Sequence, residues 1–86
     1  MKKCTYILDR FQDESRFFVY AWKDTGTVFC VRSAYDAAKG MNEELTDKLN
    51  ELAERMSEIT TFEVVRDSII RILNGQGYTV TSEERS

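Results

Sequence analysis

The side chains with the most chemical reach in this sequence are two thiols, Cys4 and Cys30, and no histidine accompanies them. Histidine is the usual general base, the commonest metal ligand and the ordinary switch near neutral pH. Nucleophilic catalysis by a cysteine or serine here would need a lysine or carboxylate as its base. Both cysteines lie among Thr, Tyr, Phe and Val, in apolar strand contexts that raise a thiol pKa. Two cysteines are too few for a disulfide scaffold and lack metal-ligand spacing. No catalytic residue, no metal site and no cofactor is expected, so the chain reads as a non-enzyme.

Carboxylates are the next candidates. Glu43, Glu44, Asp47, Glu51 and Glu54 fall on one helical stretch, where pairs such as Asp47/Glu51 resemble acid/base or metal-binding pairs. On an exposed helix such residues form a solvated face, which can also dock a basic partner or mimic nucleic acid. Gly75-Gln76-Gly77 follows a helix and precedes a strand. That is the reverse of the order that aims helix amides at phosphate, so it reads as a helix stop. Arg10, Lys23 and Arg32 beside Tyr6 and Phe17 offer an aromatic and basic sheet surface for RNA or a nucleotide. So few cations give little counterion-release affinity, and rim charges that keep strands from aggregating are the plainer reading.

These residues must be positioned by strands first. Residues 4–11, 16–23 and 28–32 are rich in β-branched and aromatic types, and polar turns at 12–15 and 24–27 separate them. Two short turns in succession predict an antiparallel meander. Leu45, Leu49, Leu52, Met56 and Ile59 then recur at spacings of four and three, one stripe of a helix over 41–59. Gly40 and Asn42 predict a break before it with Asn42 as N-cap, although Ala34, Ala38, Met41 and Leu45 stay in phase across Gly40. Thr60-Thr61-Phe62-Glu63 reads as a capping box with Thr60 as N-cap. Phe62, Val65, Ile69, Ile72 and Leu73 form the next apolar face, and Asn74-Gly75 is the expected stop. Residues 78–81 read as a short fourth strand, and 82–86 as a frayed charged tail. The expected fold is a single α+β domain over 1–86, in the order βββααβ. It has a three-stranded antiparallel meander plus the short fourth strand, with two helices packed on one face.

Turn positions suggest a register in which Ile7 faces Tyr20 and Trp22 faces Phe29. One sheet face then holds Ile7, Phe11, Phe18, Tyr20, Trp22, Phe29 and Val31. The other holds Tyr6, Leu8, Phe17, Val19, Ala21 and Val28 with the two cysteines and Arg32. The cysteines would stand roughly 10 Å apart across the intervening strand, too far for a disulfide. Both faces are apolar, yet two helices cover only one. The face of Tyr6, Leu8, Phe17, Val19, Ala21, Val28 and Arg32 is therefore expected to meet a copy of itself or another protein, with a ligand or a folded-back segment of the chain as alternatives and the acidic helix as a second contact.

Composition sets the remaining bounds. Hydrophobic content of 42% argues for a folded core, and no apolar run approaches a membrane span. The start Met1-Lys2-Lys3 lacks a signal-peptide apolar run, so a cytoplasmic, membrane-free protein is expected. Residues 1–39 carry seven Lys/Arg against five Asp/Glu, and residues 40–86 five against ten. Nucleic acid is disfavoured for the whole molecule but not for its first half. The expected function is a small acidic binding protein that acts by protein–protein contact. It would be a homodimer or an adaptor or inhibitor of a larger protein, and it fits a mobile-element or viral antagonist. The alternative is the RNA- or nucleotide-binding module.

Overall fold

The computed structural model describes residues 3–85; Met1, Lys2 and Ser86, the last of the expected tail, lie outside them. Three strands, β1 (Lys3–Arg10), β2 (Ser15–Trp22) and β3 (Thr27–Arg32), form the meander. A short helix α1 (Ala34–Ala38) follows, then α2 (Glu43–Ser57), α3 (Phe62–Gly75) and a closing strand β4 (Thr79–Arg85). The four antiparallel strands are ordered β3-β2-β1-β4. The expected α+β class and βββααβ order hold, with α1 as one extra turn of helix.

Both hairpin loops run one residue earlier than the sequence suggests, over 11–14 and 23–26. Arg10 pairs with Ser15 and Ile7 with Phe18, while Trp22 pairs with Thr27. Each loop ends on a residue with positive φ, Glu14 at 60° and Gly26 at 71°. In the first, the Asp13 carboxylate accepts from Arg10 Nε at 3.0 Å and from the Ser15 amide at 3.2 Å. Those bonds close the loop ahead of Ser15 and leave Phe11 outside the sheet, 76% exposed. Shifting a loop by one residue moves each register by two, so the residues that remain in the strands keep their faces.

The tail expected at 82–86 is instead mostly strand. Ser82, Glu83, Glu84 and Arg85 pair with Ile7, Tyr6, Thr5 and Cys4, past a bulge between Ile7 and Leu8. A polar, charged segment suits an edge strand, whose outer backbone meets water. The opposite edge, β3, is closed differently. The Asn50 side chain of α2 accepts from the Cys30 amide at 2.7 Å and donates to the Cys30 carbonyl at 2.8 Å. A single side-chain amide thus satisfies both outward backbone groups of that residue.

The chain breaks at Gly40, and two helices end in the same way. After α1, Met41 N–H reaches the Asp36 carbonyl at 2.8 Å and Gly40 N–H the Ala37 carbonyl at 3.1 Å. After α3, Tyr78 N–H reaches the Leu73 carbonyl and Gly77 N–H the Asn74 carbonyl, at 3.1 and 3.0 Å. Both are Schellman motifs whose glycines, Gly40 and Gly77, take positive φ. The stop therefore falls at Gly77, and Gly75 is still helical. The N-cap of α3 is Thr61, one residue after the expected Thr60, and its hydroxyl accepts from the Val64 amide. Asn42 precedes α2 but does not cap it: it is left-handed, with its side chain committed elsewhere.

The core lies between the helices and one sheet face. Leu8, Phe17, Val19 and Ala21 are fully covered, as are Val65, Ile69 and Leu73 of α3, with Leu49 and Ala53 of α2 beside them. Leu45, Leu52 and Met56 pack against this cluster, whereas Ile59 lies past the helix end and is 85% exposed. No helix among the described residues is long and apolar enough to cross a membrane.

The two glycines near the end of α3 should respond oppositely to alanine. Gly75 has open space around it, so Gly75→Ala should gain up to about 1 kcal/mol from helix propensity. Gly77 has φ +93°, and an added Cβ meets Arg10 Cδ at 3.4 Å. Gly77→Ala should therefore cost about 1–2 kcal/mol, and urea denaturation of both variants checks the opposite signs.

Candidate interaction surface

The helices cover the face expected to meet a partner. Tyr6, Leu8, Phe17, Val19, Ala21 and Val28 are all buried beneath α2 and α3, and they form the core. Arg32, at the end of β3, is half-buried and donates to the Met41 carbonyl at 2.5 Å. The six buried residues are therefore unavailable as a docking surface, because the chain's own helices already occupy that side. What stays uncovered is the opposite face.

That face is built on β2, an inner strand, by alternation. Phe18, Tyr20 and Trp22 point the same way, each two residues from the next. Phe18 and Tyr20 stack with ring centroids 6.4 Å apart and planes 25° apart, and Tyr20 and Trp22 at 5.9 Å and 21°. The three rings thus form one row of near-parallel planes along the strand. Across the strand pairs stand Phe29 opposite Tyr20, Val31 opposite Phe18 on β3, and Ile7 opposite Phe18 on β1. Phe29 is 45% exposed and the others are half-buried.

Charge on this face is sparse and balanced. Lys3 Nζ sits 5.6 Å from the Tyr20 ring centroid. Arg16 on β2 is ion-paired with its cross-strand neighbour Asp9, whose carboxylate also accepts from Thr81 Oγ1 at 3.0 Å. The Arg16 and Thr81 hydrogen bonds outweigh desolvation and hold the Asp9 carboxyl below the usual carboxylate range. Thr5, Thr27, Ser82 and Glu84 share the face by register, which makes the β4 side polar.

A second cluster is buried rather than exposed. Ser15 Oγ donates to Asp36 Oδ2 at 2.9 Å and makes a short bond to the Tyr78 hydroxyl. Asn42 Nδ2 reaches Ser15 Oγ at 2.8 Å and the Tyr78 hydroxyl at 3.0 Å, and the Arg16 amide donates to Asp36 Oδ2 at 3.1 Å. Because Asp36 accepts from Ser15, the Tyr78 hydroxyl must be the donor to Ser15. The Arg10 guanidinium roofs this knot, 4.6 Å from the Tyr78 ring centroid. Ser15 is 1% exposed and Asp36 wholly buried, so no substrate reaches the serine; the cluster fastens β2, α1, α2 and β4 together.

The other sequence candidates do not converge. Cys4 and Cys30 are free thiols on β1 and β3, with β2 between them, and burial pushes the Cys30 thiol up to about 12. Arg10 is engaged with Asp13 and Arg32 with Met41, Lys23 lies exposed in the second loop, and Tyr6 and Phe17 are buried, so this set does not form one aromatic and basic surface. Glu43, Glu44, Asp47, Glu51 and Glu54 are exposed on α2, where Glu44 pairs with Lys48 at 2.8 Å and Glu51 with Arg55 at 3.7 Å. Exposed pairs of this kind contribute little.

The Asp9 pair gives a pH prediction. A carboxyl with a lowered folded pKa stabilises fully above its unfolded value, about 3.9, and loses that contribution as pH falls through the folded value. Asp9→Asn should weaken the fold at pH 7 and flatten the loss of stability below about pH 4, which urea titrations at pH 7 and pH 3 will measure. Equal acid sensitivity in both proteins would remove Asp9 as a contributor. No protein-family model matches the chain, and neither a curated protein nor a solved structure matches it.

Proposed function

We propose that this is a non-enzymatic binding protein that docks through the uncovered aromatic face of its sheet onto an apolar, near-neutral protein surface. In that role it serves as a self-association module or as an adaptor or inhibitor of a larger protein. The observation that carries this reading is the Phe18–Tyr20–Trp22 stack with Phe29 beside it, on the sheet side that has no helix. Aromatic side chains are enriched at the centres of protein interfaces, where charged residues are depleted. Burying several such rings stabilises a complex at roughly 25 cal/mol per Å² of apolar surface, less the cost of association.

Nucleic-acid binding has weaker support. Single-stranded nucleic acid needs a positively charged groove along its backbone beside any stacking rings. Of the two cations on the face, Arg16 is neutralised by Asp9. The acidic side of α2 serves in this reading as solvated surface.

A photoreactive benzophenone amino acid in place of Phe29 tests the reading in cells. Irradiation should yield an adduct with a polypeptide, either a second copy or a different protein. The same group at Val64, exposed on α3, should yield none. Adducts with nucleic acid alone, or no adduct from position 29, would overturn it.

A further inference from the structure

We infer that the occupant of the aromatic face is a second copy of this chain, the two sheets stacking face to face about a two-fold axis. This rests on the reading of that face as a protein-binding surface and names the partner.

Charge is the first argument. The chain carries a net −3, so two copies repel wherever their acidic surfaces approach. On this face Lys3 and Glu84 are of opposite sign, and Arg16 and Asp9 cancel each other. The acidic residues of α2 project from the far side of the sheet. Stacked sheets lie about 10 Å apart, and each helix layer adds about another 10 Å. The two acidic helices would then be separated by more than about 20 Å, over two Debye lengths at physiological salt. Contact through this face avoids the repulsion that contact through α2 would bring.

Area is the second argument. Four strands at about 4.8 Å spacing and six residues at about 3.3 Å make a patch roughly 20 by 20 Å. With rings standing above that plane, two copies would bury about 1,000 Å², near the lower limit for a specific interface. An interface near that limit suits a reversible dimer rather than a permanent one. Sheets stacked this way cross at about −30°, which lets standing rings interdigitate.

Sedimentation equilibrium of the purified chain, from about 1 to about 500 µM, tests this. The weight-average mass should rise from one chain to two, and emission from Trp22, the only tryptophan, should shift to the blue as it does. Raising the salt should change the midpoint little. Tyr20→Glu, and independently Phe29→Glu in case the first fails to fold, should raise the dissociation constant about thirtyfold or more with unchanged far-UV circular dichroism. Val64→Glu on α3 should leave it unchanged. A single-chain mass at every concentration overturns the second copy as partner, as does a dimer that both face variants leave intact. In the first case the crosslink from position 29 decides separately whether the face binds a different protein.

Discussion

A carboxylate with no exposed surface ties this molecule together. Asp36 sits in a single turn of helix, yet it receives hydrogen bonds from the Ser15 hydroxyl and the Arg16 amide at the start of β2. Through Ser15 it reaches Tyr78, where α3 hands over to β4, and Asn42, where α2 begins. Residues from Ser15 to Tyr78 therefore meet in one polar knot. Buried polar groups are costly unless satisfied, so the bonds to Asp36 Oδ2 favour one arrangement of the segments, although Oδ1 of the same carboxylate has no partner among the described residues. The left-handed backbone at Asn42 follows from this arrangement, since its amide serves the knot instead of capping the helix.

With the segments so fixed, the helices can lie on only one side of the sheet. α1 attaches at the start of β2, and α2 runs back along β3 with Asn50 against its edge. α3 then fills the remaining space with Val65, Ile69 and Leu73. The side they cover carries Val19, Ala21 and Cys30 at its centre, small residues that let helices approach closely. Tyr6 and Phe17 fill the rest of that side, and Phe18, Tyr20, Trp22 and Phe29 are left on the other.

Much of this arrangement was legible in the sequence. The two hairpins, the break at Gly40 and the apolar stripes of α2 and α3 follow from periodicity and turn chemistry. Face membership survived wrong registers, because alternation of period two tolerates an error of two. Which face the helices take was misread, although the residues carried a signal. Thr5, Asp9, Arg16 and Thr27 interleave with the aromatics on the open face, whereas the covered face is charged only near its ends, at Arg10, Lys23 and Arg32. Polar residues that alternate with apolar ones along the strands mark the side without a helical cover. The buried knot was not legible, because Ser15, Asp36, Asn42 and Tyr78 are spread over 64 residues with no motif spacing.

The Asn50 clasp on Cys30 bears on how such a molecule behaves when concentrated. A sheet grows into a fibril by laying the edge of one molecule against the edge of the next, so every unit needs two receptive sides. Here one edge has the backbone of Cys30 taken by a side-chain amide, and the other carries Glu83 and Glu84. A polypeptide protected in this way can pair off through its side chains without polymerising through its backbone.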